Sequence, residues 1–171
     1  MSRLAGAIVF CALLAAANAM DLTSAAFANN GNIPVKYACD GSNISPPLAW
    51  KDVPGEAQSL AIVVEDPDAP SGVYAHWVVF GIPPTADGLP ENASKAGLPA
   101  GAKQGRNSAG AIGWAGPCPP GGTHHYVFTL YALNVEFDLK AGAERSAVDD
   151  VMRGHVITEA KLTGLYSRQK K

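Results

Sequence analysis

The chain has 171 residues, 47% of them hydrophobic and 16% charged, with 13 Lys and Arg against 15 Asp and Glu for a net charge of −2. That length and composition suit one globular domain with its own core and argue against two. The only basic clustering is Arg168, Lys170 and Lys171 in the tail, so the concentrated positive charge that nucleic-acid backbones require is missing.

The opening MSRLAGAIVFCALLAAANA places one basic residue, Arg3, before an apolar run from Leu4 to Ala17. It ends in small residues, with Ala17 and Ala19 at the spacing signal peptidase prefers. This predicts a signal peptide over 1–19, a single domain over 20–171, and a periplasmic or secreted protein. The run is shorter than the roughly 18 apolar residues of a membrane span, and no basic stop-transfer cluster follows, so no stable membrane anchor is expected after cleavage. Ile8, Val9 and Phe10 ahead of Cys11 are not the residues of a lipoprotein signal, and no lipid anchor is expected either. Cys39 and Cys118 remain in the mature chain, and an even count in an exported protein makes a disulfide the first candidate. Two buried free thiols and half of a metal site are the alternatives. The last has neither a CxxC nor a histidine at finger spacing behind it.

Apolar clusters along the rest of the chain are short and separated by Gly and Pro, the pattern of strands joined by turns. SLAIVVED, 59–66, reads as a strand covered on both faces. YAHWVVFGIP, 74–83, reads as a second. HYVFTLYAL, 125–133, reads as a third, with Val127, Thr129 and Tyr131 alternating with Phe128, Leu130 and Ala132. IPVKYA, 33–38, and LTGLY, 162–166, are weaker strand candidates, and the set predicts a mostly antiparallel sheet. From 84 to 116 the chain is rich in Gly, Ala, Pro, Asn and Ser, which predicts a functional or disordered loop. ERSAVDDVMRG, 144–154, predicts one short amphipathic helix, with Ser146 as a candidate cap and Gly154 as the stop.

Two clusters carry chemistry. EDPDAP, 65–70, stands where the first strong strand runs out, and the prolines around Asp68 stiffen the backbone that carries Asp66 and Asp68. For this segment alone, a turn whose Asp side chains bond nearby amides is the favoured reading. His76, just inside the next strand, is the companion that raises interest. The second cluster is GWAGPCPPGGTHHYVF, 113–128. Its glycines allow successive backbone amides to converge on an anion, while His124 and His125, as strand neighbours, should face opposite ways.

YACDGSNISPPLAW at 37–50, DPDAP followed by AHWVV at 75–79, GRNSAG at 105–110, GPCPPGGTHHYVFTLYAL at 116–133 and GHVITEAKLTGLYSR at 154–168 together resemble the phosphatidylethanolamine-binding protein family. Within it, the likeness is to the bacterial Raf kinase inhibitor-like members. The matches keep family order from about Phe27 to Arg168. The resemblance implies a mostly β fold: a large antiparallel sheet packed in a β-sandwich, with short peripheral helices. It also implies a small pocket for phosphate or phosphorylated head groups, formed by Asp66, Asp68, His76, Gly116, Pro119, Pro120, His124 and Tyr126. His125 falls outside that set, at a position where relatives often carry Arg or Lys, and Trp114 stands where many have Tyr.

The expected function is a non-catalytic binding module for phosphate or a phosphorylated small molecule, able to act as an inhibitor or modulator of a protein partner, with no cofactor and no structural metal. Anion binding is expected from the amides of 116–123 and from His76 or His124, with a neighbouring Asp raising the histidine pKa. An ammonium head group could instead meet Asp66 or Asp68, with Trp77 or Tyr126 offering a ring face. A hydrolase using Asp and His is the alternative, although no GxSxG elbow is present and Ser108 has no evident base. A metal site of Asp66, Asp68, His76 and His124 is the other.

Overall fold

The structure is a computed structural model that describes residues 19–168. The predicted signal peptide, with Cys11, therefore lies outside the described residues apart from Ala19. Among the described residues no helix is long and apolar enough to cross a membrane. In chain order the strands are β1 (Asp21–Thr23), β2 (Gly31–Asn32), β3 (Leu48–Lys51), β4 (Ser59–Asp66), β5 (Tyr74–Ile82), β6 (Gly88–Leu89), β7 (Lys103–Gln104), β8 (Thr123–Leu133) and β9 (Val156–Ser167). Two helices accompany them, α1 (Ala93–Ala96) and α2 (Arg145–Met152).

The strands form two open sheets, one of order β1-β3-β6 and one of order β2-β9-β8-β4-β5-β7. All pairings are antiparallel except β2 with β9. Leu22, Leu48, Trp50 and Leu89 from the small sheet meet Leu60, Ile62, Val64, Trp77, Phe128 and Leu130 from the large one in the main core. Ala61, Val78, Phe80 and Leu133 point the other way and are covered by Val148 and Met152 of α2. Side chains alternate faces along a strand, so β4 needs cover on both sides. The continuous SLAIVVED run reflects that double burial.

Three expectations change in the structure. Residues 33–38 are no strand: Pro34 has no N–H to give a ladder, and Val35–Tyr37 forms a turn of 3₁₀ helix. LTGLY is only the end of β9, which begins at Val156 and pairs along the whole of β8. The segment 84–116 is ordered in short pieces, β6, α1 and β7, with Gln104 tied to Trp77 and Ser94 by side-chain hydrogen bonds. The helix is where the periodicity put it, although Glu144 occupies the capping position and Ser146 lies inside the first turn.

Candidate functional site

Asp66 ends β4, Tyr74 and His76 stand at the start of β5, and His124 stands at the start of β8. Because β5 and β8 are the two antiparallel neighbours of β4, these three strand ends coincide. The sheet thus gathers residues 58 apart in sequence without any loop being asked to hold them.

A register shift aims His76. Val64 faces Trp77 and Glu65 faces Ala75, so His76 is the extra residue of a β-bulge. A bulge locally turns the strand and re-directs a side chain. Trp77 consequently fills the core, while His76 turns to a cavity of about 370 Å³ at the sheet's end. The His76 ring lies 4.8 Å from that of Tyr74 and 5.1 Å, edge to face, from that of Tyr126.

The opposite wall is the segment 114–120. It is stitched to β5 by the Ala115 N–H on the His76 carbonyl oxygen at 2.9 Å. It is stitched to the 37–43 loop by the Cys39 N–H on the Pro117 carbonyl at 3.0 Å, by Trp114 Nε1 on the Tyr37 carbonyl at 3.1 Å, and by the Cys39–Cys118 disulfide. Asn43 Oδ1 accepts the Gly116 N–H at 2.8 Å. The free-thiol and half-metal readings of the two cysteines are thereby set aside.

Asp66, His76, Gly116, Pro119, Pro120 and His124 line the cavity. Tyr126 lies behind it, fully buried with its hydroxyl lacking a hydrogen bond of ordinary geometry. Asp68 is not part of the lining. Its Oδ2 takes the backbone N–H of His125 at 2.8 Å and the His125 ring Nδ1 at 2.7 Å, on an exposed surface. The strand alternation holds, with His124 buried and His125 out. Sequence reasoning missed Asn43, Tyr74 and the two cysteines as lining residues. Asn43 was in view inside the 37–50 string, but nothing local marks it as a partner of Gly116.

The cavity holds one ion-pairing couple. His124 Nδ1 lies 2.7 Å from Asp66 Oδ2, and Asp66 Oδ1 accepts the Asp68 N–H at 2.8 Å. The carboxylate is thereby held by two donors, and Nε2 is the ring's other polar atom. His76 differs. Its Nδ1 sits 2.6 Å from the Ala115 carbonyl oxygen, which can only accept, so Nδ1 carries the proton and Nε2 the lone pair. Burial pushes the His76 pKa down, further lowered by His124 and opposed by the Ala115 hydrogen bond and the Asp66 charge. Asp66 thus does act to raise the His76 pKa, but desolvation outweighs it and the net shift is downward. Burial, reinforced by Asp66, raises the Tyr126 pKa. His125 bonds hold the Asp68 pKa low.

The amide cradle expected from 116–123 is not assembled here. Pro117, Pro119 and Pro120 have no N–H, the Gly116 N–H is committed to Asn43, and Gly121 and Gly122 do not reach the cavity. No Lys or Arg lines it. Among the described residues no three His, Cys, Asp or Glu side chains converge to hold a metal ion. Ser108 is occupied in structure: its Oγ accepts the Ala75 N–H at 2.8 Å and its own N–H bonds the Ala75 carbonyl.

Residues 23–167 match the family model of the phosphatidylethanolamine-binding proteins. A UPF0098 protein of Methanothermobacter thermautotrophicus is 56% identical over 150 residues, spanning 87% of this chain and 99% of its own. A UPF0098 protein of Pyrococcus horikoshii is 46% identical over 85% of this chain and 76% of its own. The crystal structure of a phosphatidylethanolamine-binding protein homologue from Chlamydia trachomatis superposes with a TM-score of 0.83 at 43% identity, covering 89% of this chain and 99% of that one. E. coli YbcL, described as a new member of the mammalian family, gives a TM-score of 0.84 at 33% identity over 89% of this chain and all of that one. The chain belongs to the phosphatidylethanolamine-binding protein family.

Proposed function

We propose that this is an exported, non-catalytic binding protein whose cavity takes phosphate or the phosphate of a small phosphorylated molecule. The observation that carries the reading is the buried His124–Asp66 pair facing a cavity without Lys or Arg. In its imidazolium form His124 keeps Nδ1–H on the carboxylate and presents Nε2–H to the ligand, a charge-assisted donor in a shielded place. Asp66 Oδ2 fixes the ring through Nδ1, so Nε2 is the atom left to meet the ligand. Asn43 adds a second donor: its Oδ1 is committed to Gly116, which leaves the amide Nδ2 hydrogens for the ligand. A cavity of about 370 Å³ suits a head group, and the acyl chains of a whole lipid would stay outside. Export rests on the leader at 1–19. A protein partner would reach the site by presenting a phosphorylated side chain at the open mouth.

Calorimetry with inorganic phosphate and with phosphoethanolamine tests this. Saturable 1:1 binding is expected, weakened about tenfold or more in His124→Ala by loss of the charged donor. Equal affinity in wild type and variant, or no heat with either probe, overturns it.

A further inference from the structure

We infer that His76 is a hydrogen-bond acceptor toward the ligand, so that the cavity prefers a phosphate group bearing a hydrogen, inorganic phosphate or a monoester, over a phosphodiester. The inference rests on the phosphate-binding reading above and concerns what kind of phosphate the same site accepts.

Geometry fixes the ring. The Ala115 carbonyl oxygen holds Nδ1–H at 2.6 Å, Tyr74 and Tyr126 pack against the imidazole at 4.8 and 5.1 Å, and the bulge directs the side chain into the cavity. Moving the proton to Nε2 would set the Nδ1 lone pair against the carbonyl oxygen, and a ring flip would put Cδ2 there and lose the bond, so this tautomer is the one the Ala115 carbonyl selects. Nε2 therefore faces the cavity as an acceptor from a residue only 5% exposed. The titratable groups around it are Asp66 and His124 across the cavity and Tyr74 and Tyr126 against the ring. Burial lowers the His76 pKa, in the direction of this neutral form.

His124 and Asn43 offer hydrogens to any anionic oxygen and do not distinguish esters. His76 does. A monoester in its monoanionic form carries a P–OH that donates to Nε2, with a second pKa near 6. A diester has only oxygens without hydrogen, which oppose the Nε2 lone pair and leave a buried acceptor unpaired. Sites built to pair a ligand hydrogen discriminate strongly against analogues that lack it.

Ethyl phosphate and dimethyl phosphate are isomers, and at about pH 5.5 the first carries largely one negative charge, as the second does. Calorimetry of the full-length mature protein with both should show ethyl phosphate binding about tenfold or more tightly. His76→Gln, whose amide can donate as well as accept, should bring the two to within about threefold. Equal affinities in the wild type overturn the inference while leaving phosphate binding intact. Absence of binding by either ester, with inorganic phosphate still bound, overturns it as well. Failure of all three probes removes the underlying reading too.

Discussion

His124 of β8 and Asp66 of β4 meet at 2.7 Å with their side chains only 8% and 5% exposed. A carboxylate so placed is tolerable because both of its oxygens are bonded, one by the ring and one by the Asp68 N–H. Removing it strands the His124 Nδ1–H and the Asp68 N–H together. Asp66→Ala should therefore cost about 3 kcal/mol of stability at neutral pH, the range for breaking a buried pair. Urea unfolding reads this directly. A loss below about 0.5 kcal/mol would mean that the pair is not a supporting element.

Reduction of Cys39–Cys118 is expected to be as costly. The two residues are separated by 79 positions, and closing a loop of that length stabilises by about 4 kcal/mol through the unfolded chain. For a domain of this size that corresponds to a fall of about 10 °C in Tm. Thermal melts of the wild type and of Cys39→Ala/Cys118→Ala would check it. Because the bridge also ties the 114–120 wall to the 37–43 loop, the double variant should bind phosphate more weakly than its remaining stability alone would suggest. An unchanged Tm contradicts the expectation.

Gly116 is expected to admit no side chain. A Cβ there would run into the Tyr37 carbonyl oxygen, Asn43 Oδ1 and the Ala38 backbone. Gly116→Ala should cost about 2 kcal/mol by forcing the wall outward and should weaken ligand binding through displacement of Asn43. Gly121→Ala is the control, since nothing lies within 4 Å of a Cβ there. If the two variants behave alike, the tight wall is not a feature of the protein in solution.

Tyr37 makes a pH prediction. Burial, followed by the 2.7 Å hydrogen bond to Glu91 and the charge of that carboxylate, pushes its pKa up from 10.0 to about 12. Because the folded value is the higher one, the contribution is complete below pH 10 and disappears as pH rises through about 12. Wild type and Tyr37→Phe should therefore differ by a constant amount up to pH 10, and the wild type should lose ground above it. Urea unfolding of both at a series of alkaline pH values would test this. A difference independent of pH through that window counts against a protonated Tyr37 bound to Glu91.

Much of this arrangement was readable before the structure, and the reasons differ by element. The double burial of β4 was legible because both of its faces are apolar, and the split between His124 and His125 followed from strand alternation. β9 was half hidden because only Ala160 of VITEAK is buried, while Val156, Glu159 and Lys161 are exposed, which weakens its apolar signal. The small sheet escaped notice because β1 and β3 are three and four residues long and find partners across the chain. The aim of His76 depends on the register of β4 against β5, a property of the pair that neither segment displays alone. The amide cradle was over-read for a similar reason. The residue that occupies the Gly116 N–H, Asn43, lies 73 positions earlier.

The chain has four histidines, and they provide the most direct test of the proposed pocket. His76 and His124 line the cavity, whereas His125 pairs with Asp68 on the surface and His155 bonds Asn134 on an exposed loop. Imidazole NMR spectra recorded during titration with inorganic phosphate should show saturable shifts at His76 and His124, with the same dissociation constant, and none of that size at His125 or His155. Equal weak shifts at all four rings, or movement confined to His125 and His155, would contradict the account.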